Sequence, residues 1–144
     1  MGKYGDTAVQ AAKLLRSGHR SGEDAWRQVA EAVFAGAPPA MKKTCPREAF
    51  LGLCQEGMLA GVPASCCRPV DRGLNRSYAV AAAQLLVAEP DLAHGNKAAL
   101  WRCVMSKCCA DPNKRHNSQL DVVLALWAEG WIDASAATQT ASLA

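Results

Sequence analysis

"TAVQAAKLL" spans Thr7–Leu15, and "YAVAAAQLL" spans Tyr78–Leu86. At an offset of 71, Ala8, Val9, Ala11, Ala12, Leu14 and Leu15 recur as Ala79, Val80, Ala82, Ala83, Leu85 and Leu86. Self-similarity at a fixed period decides the fold before any helix is placed, because a missed repeat mis-assigns every later element. Ala-rich helices echo one another through composition alone, so rarer residues carry the test. "AWRQV" at 25–29 aligns with "LWRCV" at 100–104 at an offset of 75, sharing Trp26 with Trp101, Arg27 with Arg102 and Val29 with Val104. "FLGLCQEGML" at 50–59 aligns with "VLALWAEGWI" at 123–132 at an offset of 73, sharing two leucines and a Glu-Gly pair. Three matches in one order at nearly constant offset predict two copies of a unit, repeat 1 over about 4–60 and repeat 2 over about 75–133.

Each copy reads as three helices. The first, over Asp6–Ser17, carries Ala8, Ala11, Ala12 and Leu15 on one side against Gln10 and Lys13 on the other, an amphipathic pattern at period 3.6. Its counterpart stops at Glu89-Pro90. Ser21 with Asp24 makes a capping box for the second helix, whose inward stripe is Trp26, Val29, Ala30 and Val33. Asn96 is the N-cap of the counterpart, with Leu100, Trp101, Val104, Met105 and Cys108 turned inward. The third helices follow basic pairs, in "KKTCPRE" at 42–48 and "KRHNSQLD" at 114–121. Pro46 suits a first turn, Ser118 with Asp121 is another capping box, and Gly57 and Gly130 stand where a helix needs a left-handed stop. "VVLALW" at 122–127 is apolar on every face, which predicts the central buried helix.

The fold expected is therefore all-α, six helices as two pseudo-symmetric three-helix repeats in one compact bundle. It forms a single domain over 1–133, with long loops at 36–44 and 60–74 and a small, polar, flexible tail at 134–144. With 144 residues, 50% of them hydrophobic and 20% charged, the chain is long enough for one core and too apolar for global disorder. The longest apolar stretch, "YAVAAAQLLVA" at 78–88, is too short to span a bilayer. "MGKYGDTAVQ" has neither the apolar region of a secretion signal nor the Ser or Thr of a myristoylation signal, so a cytoplasmic location without a membrane anchor is expected.

Seven cysteines invite three chemistries. An odd count without a secretion signal favours free thiols over a disulfide framework. No CxxC occurs and adjacent cysteines seldom serve one tetrahedral ion, so no metal and no cofactor is expected; most cysteines read as small core residues, Cys54 and Cys108 among them. Cys45 beside Lys42 and Lys43 at a helix start has the setting of an activated thiolate but lacks a base, and Glu56 with Glu129 could face each other as an acid/base pair. Each has a blander reading, as a helix-start residue or as an ordinary Glu-Gly helix end, and no catalytic residue is expected.

The basic pairs say more. The repeat puts them at equivalent helix N-termini, where unpaired backbone N–H groups and the helix dipole favour an anion. The expected ligand site is Lys42, Lys43, Thr44, Lys114, Arg115, His116, Asn117 and Ser118. Net charge is only +3, but 97–115 holds five basic residues against Asp111, and Arg68, Arg72 and Arg76 make a third basic loop. Charge so distributed suits a polyanion or an acidic partner, beside its plainer role as a solvated face. "LALWAEGWI" looks like the end of a winged-helix recognition unit, yet no wing strands follow Ile132 and the third helix is too apolar to face a groove.

"MGKYGDTAV", "CPREAFLGLCQEG" and "HNSQLDVVLALW" together make the chain resemble a family of small uncharacterised bacterial helical proteins, a domain of unknown function, over most of 1–131. Some such proteins resemble cargo of mobile elements such as integron cassettes, which implies accessory functions in stress or defence. The resemblance brings no catalytic residue, cofactor or ligand. The reading it leaves is a non-enzymatic helical binding or adaptor protein. A protein partner or an anionic ligand is favoured, a homodimer through an apolar face and a nucleic-acid-binding regulator are alternatives, and an enzyme using Cys45 or the Glu56/Glu129 pair comes third.

Overall fold

The computed structural model describes residues 2–18, 21–64, 73–116 and 118–143. Eight α-helical segments follow one another: α1 (Lys3–Arg16), α2 (Gly22–Val33), α3 (Pro38–Met41), α4 (Thr44–Gln55), α5 (Leu74–Ala88), α6 (Lys97–Lys107), α7 (Gln119–Ala128) and α8 (Ala134–Leu143), with a 3-10 turn at Pro90–His94 before α6. No strand forms among the described residues. The six expected helices correspond to α1, α2, α4, α5, α6 and α7. Two segments go beyond that expectation. Pro38 and Pro39 start the single-turn α3 within an expected loop, since a proline ring is already set for a first helical turn. The segment expected as a flexible tail is helical as α8: Asp133 Oδ1 accepts from the backbone N–H of Ala136 at 3.2 Å, and Ala137 is fully buried.

Side-chain caps hold the starts of α2 and α6. Ser21 accepts from the N–H of Asp24 at 3.3 Å, but the Asp24 carboxylate turns to Arg27 and does not close a box. Asn96 Oδ1 accepts from Ala98 at 2.7 Å, as expected of an N-cap. Gly57 and Gly130 adopt φ of +69° and +75°, conformations without penalty only for a residue lacking Cβ. Each then lets the following N–H turn back into the helix, Met58 to Leu53 O at 3.0 Å and Trp131 to Leu126 O at 2.8 Å.

The helices cross-pack. α1 lies on α2 and α7, while α4 lies on α5 and α7. Their buried faces meet in one core containing Trp26, Phe50, Leu53, Leu86, Leu100, Met105, Leu120 and Leu126. α7 is central, yet Leu124 and Trp127 remain half-buried, so one side of it stays open. Beyond the glycine stops, Leu59 and Ile132 pair as an isolated antiparallel bridge, with Ala60 N–H to Trp131 O and Asp133 N–H to Met58 O, both at 2.8 Å. Arg16, at the end of α1, clasps this junction: its guanidinium donates to Ala60 O at 2.7 Å and stacks 3.7 Å from the Trp131 ring centre. No helix among the described residues is long and apolar enough to cross a membrane. Leu74 is the one large hydrophobic side chain exposed among them, a single residue and not an apolar face.

Candidate functional site

Lys43 stands immediately before α4, and Ser118 immediately before α7. The Lys43 ammonium donates to Ser118 Oγ at 3.4 Å, across 75 residues of chain. Neither helix has a side-chain cap on its first turn. The expected Ser118/Asp121 box does not form: Ser118 takes the left-handed conformation, φ +70°, and Asp121 pairs instead with Lys97 at 2.5 Å. Such a φ is uncommon outside glycine, and here it turns the hydroxyl of Ser118 toward the other helix start.

The two tyrosines of the chain both lie beneath these lysines. Lys43 Nζ sits 5.3 Å from the Tyr4 ring centre and Lys114 Nζ sits 5.4 Å from that of Tyr78. Tyr4 is further held by donating its hydroxyl to Ala40 O at 2.9 Å, and burial pushes that phenol upward from its ordinary value. Tyr78 packs edge-on against Trp101, whose indole N–H donates to Lys114 O at 2.6 Å and whose ring meets His116 at 5.9 Å. Lys42, Thr44, Lys114 and Arg115 are exposed, while Lys43, His116 and Ser118 are half-buried. Asn117 lies outside the described residues. The contact that unites the two clusters is thus Lys43 with Ser118, and His116 is drawn toward Trp101. The tyrosine seats had a sequence signal that the helix pattern hid: Tyr4 and Tyr78 recur at an offset of 74, close to the 71 that separates Lys43 from Lys114.

The alternative chemistries fare differently. Glu56 and Glu129 do not form a facing pair: Glu56 is engaged by Arg76, whereas Glu129 is exposed. Cys45 is reduced and half-buried. Cys54, expected as a free core thiol, is buried but disulfide-bonded, and Cys66 and Cys67 lie outside the described residues. Cys108 is a reduced thiol pushed upward by burial, which outweighs the neighbouring Lys107 ammonium. No three of His, Cys, Asp and Glu come together as a metal site requires among the described residues.

A polar chain at the edge of the core also escaped the sequence reading. Asn75 Nδ2 donates to Glu48 Oε2 at 2.7 Å and its Oδ1 accepts from Gln119 Nε2 at 2.8 Å, with Gln119 buried. It links α4, α5 and α7, and no local pattern marks it because each residue sits on a different helix.

No curated protein and no solved structure matches the chain. What does match is the model of a family of unknown function, DUF6979, over residues 1–133, and the chain belongs to that family.

Proposed function

We propose that the protein is a non-enzymatic helical binding protein whose ligand is an anionic group, seated where α4 and α7 begin. The observation that carries this reading is the 3.4 Å contact between Lys43 and Ser118, which brings two uncapped helix starts to one ammonium group. First-turn N–H groups of both helices and the positive ends of both dipoles then favour negative charge at one place. Lys42, Thr44, Lys114, Arg115, His116 and Asn117 form the surrounding shell in this reading.

The reading includes a tandem duplication, with two three-helix repeats paired about a twofold axis. Its best support is the bridge: an offset of 73 maps Met58, Leu59 and Ala60 onto Trp131, Ile132 and Asp133, so its two hydrogen bonds exchange with each other. A reciprocal pair of that kind is what an isologous contact requires. A bacterial accessory gene carried by mobile elements is the setting the sequence resemblance suggests for such a protein.

Titration of isotope-labelled protein with inorganic phosphate tests the site. Saturable amide shifts at Thr44, Cys45, Arg47 and 119–121, weakened about tenfold by Lys43→Ala, are expected, since a charge-assisted contact contributes about 1.5–3 kcal/mol. Absence of shifts there at low salt would remove the reading. The exposure of Lys42, Lys114 and Arg115 favours a second reading, a nucleic-acid-binding regulator on the same face. It requires duplex binding that falls steeply with salt, by roughly 0.9 in log K per log unit of salt for each phosphate neutralised.

A further inference from the structure

Two grooves in the molecule are built from corresponding residues. One lies between α4 and the start of α5, with a volume of about 180 Å³, and includes Glu48, Leu51, Gly52, Gln55 and Gly73. The other lies between α7, the start of α1 and the segment from Ala93 to Lys97, with a volume of about 600 Å³, and includes Asp121, Leu124, Ala125, Ala128 and Gly2. An offset of 73 relates the first four of each set, and an offset of 71 relates Gly2 to Gly73.

The grooves differ in what fills them. In the smaller one Arg76 of α5 runs over the helix surface at Gly52, where an added Cβ would stand 2.7–2.9 Å from Arg76 atoms. Its guanidinium pairs with Glu56. At the offset of 71 the position of Arg76 is held in α1 by Gly5, which has no side chain, and that of Glu56 is held at an offset of 73 by Glu129. The corresponding carboxylate, Glu129, directly follows the lining residue Ala128, and no arginine stands at the position of Arg76, although His94 and Lys97 line the far side of this groove. Lys97 does not supply a cation to Glu129, because its ammonium is already on Asp121. Glu129 is exposed and has no ion-pair partner among the described residues. The floor is apolar, with Leu124 and Trp127 half-buried along it.

We infer that the groove between α7 and the start of α1 takes an arginine side chain of a partner protein, with Glu129 as its counter-ion. Arg76 is the internal example of the occupant: a three-carbon stem crossing the third helix and a planar guanidinium held by a carboxylate at that helix's end. In the open groove Trp127 adds an aromatic face, on which a guanidinium stacks better than an ammonium does. The volume exceeds what one side chain occupies, so the residues flanking that arginine also bury against Leu124 and Trp127. This inference rests on the correspondence of the two grooves and is independent of the anion reading, which uses other residues.

The probe is the acetylated, amidated peptide Gly-Leu-Asn-Arg-Ser-Tyr, copying 73–78 around Arg76, titrated into the labelled full chain. Saturable shifts of the Trp127 indole N–H and of amides 125–130 are expected. The same peptide with citrulline, the neutral isostere, and the Glu129→Gln protein should each bind at least tenfold more weakly. The double variant Gly5→Arg/Ala125→Gly rebuilds the filled groove and should abolish binding while raising the melting temperature. Equal binding of the citrulline and arginine peptides, or binding unchanged by Glu129→Gln, overturns the inference. So do shifts that map outside the groove. Free arginine amide binding as tightly as the peptide would overturn the partner protein in favour of a small guanidino compound. Should the double variant fail to fold, Glu129→Gln and the citrulline peptide still decide the outcome.

Discussion

At Gly52 and Gly130 the same amino acid does opposite work. Gly52 lies inside α4, where an Ala ordinarily stabilises a helix by about 1 kcal/mol. Here the new Cβ would stand 2.9 Å from the Cα of Arg76, a backbone atom that cannot swing away. Gly52→Ala should therefore destabilise the protein, by about 1–3 kcal/mol as overpacked contacts do, by pushing α4 from α5. Gly130→Ala meets no atom within 4 Å and should lose only the left-handed penalty of about 1 kcal/mol. Urea denaturation of both variants checks the order, and a stabilised Gly52→Ala would contradict the close crossing of α4 and α5. Gly130 was legible in the sequence because a Glu-Gly pair ending an apolar run is a local signal. The need for Gly52 was not, since it comes from Arg76 on another helix.

The elements were legible in proportion to their length and periodicity. α1, α2, α4, α5, α6 and α7 each bury a continuous stripe, and stripes show in a sequence. α8 does not: its composition is small and polar, and what makes it a helix is the Asp133 cap and one buried alanine against α5. Asp133→Ala should accordingly lower stability by about 1 kcal/mol, the usual worth of such a cap. Hydrogen exchange should quicken within α8 and leave α4 and α7 protected; uniform loss of protection would mean that α8 is integral to the core. α7 was read as buried on all sides because "VVLALW" offers no polar face. Sequence cannot show that Leu124 and Trp127 stay half-buried, since that depends on how the neighbouring helices cross α7. The basic clusters were legible as helix starts, but their meeting through Lys43 and Ser118 depends on how α4 and α7 lie together.

For the molecule as a whole, cross-packing decides how the halves depend on each other. α1 rests on α7 and α4 on α5, so the surface that buries Phe50, Leu51 and Leu53 is completed by helices beyond residue 73. Chains covering 1–64 and 73–144 should each show no cooperative thermal transition, and mixing them should restore helical circular dichroism and a melting step. Either half melting cooperatively alone would argue against this interdependence. The all-helical character was the most legible large-scale feature, because amphipathic and apolar stripes at helical spacing run through most of the chain. Which helices pack together was not legible, because spacing orders residues along a chain and says nothing of which helix meets which.

The Leu59–Ile132 bridge carries one more consequence. Each side gives one N–H and receives one, so two separate copies meeting face to face could make the same bond pair. Two such free chains would assemble only above a threshold set by their abundance. Joined in one polypeptide, the second half is always present at an effective concentration fixed by the connecting segment. Folding should then be first order and indifferent to dilution, so that a few molecules in a cell are as completely assembled as many.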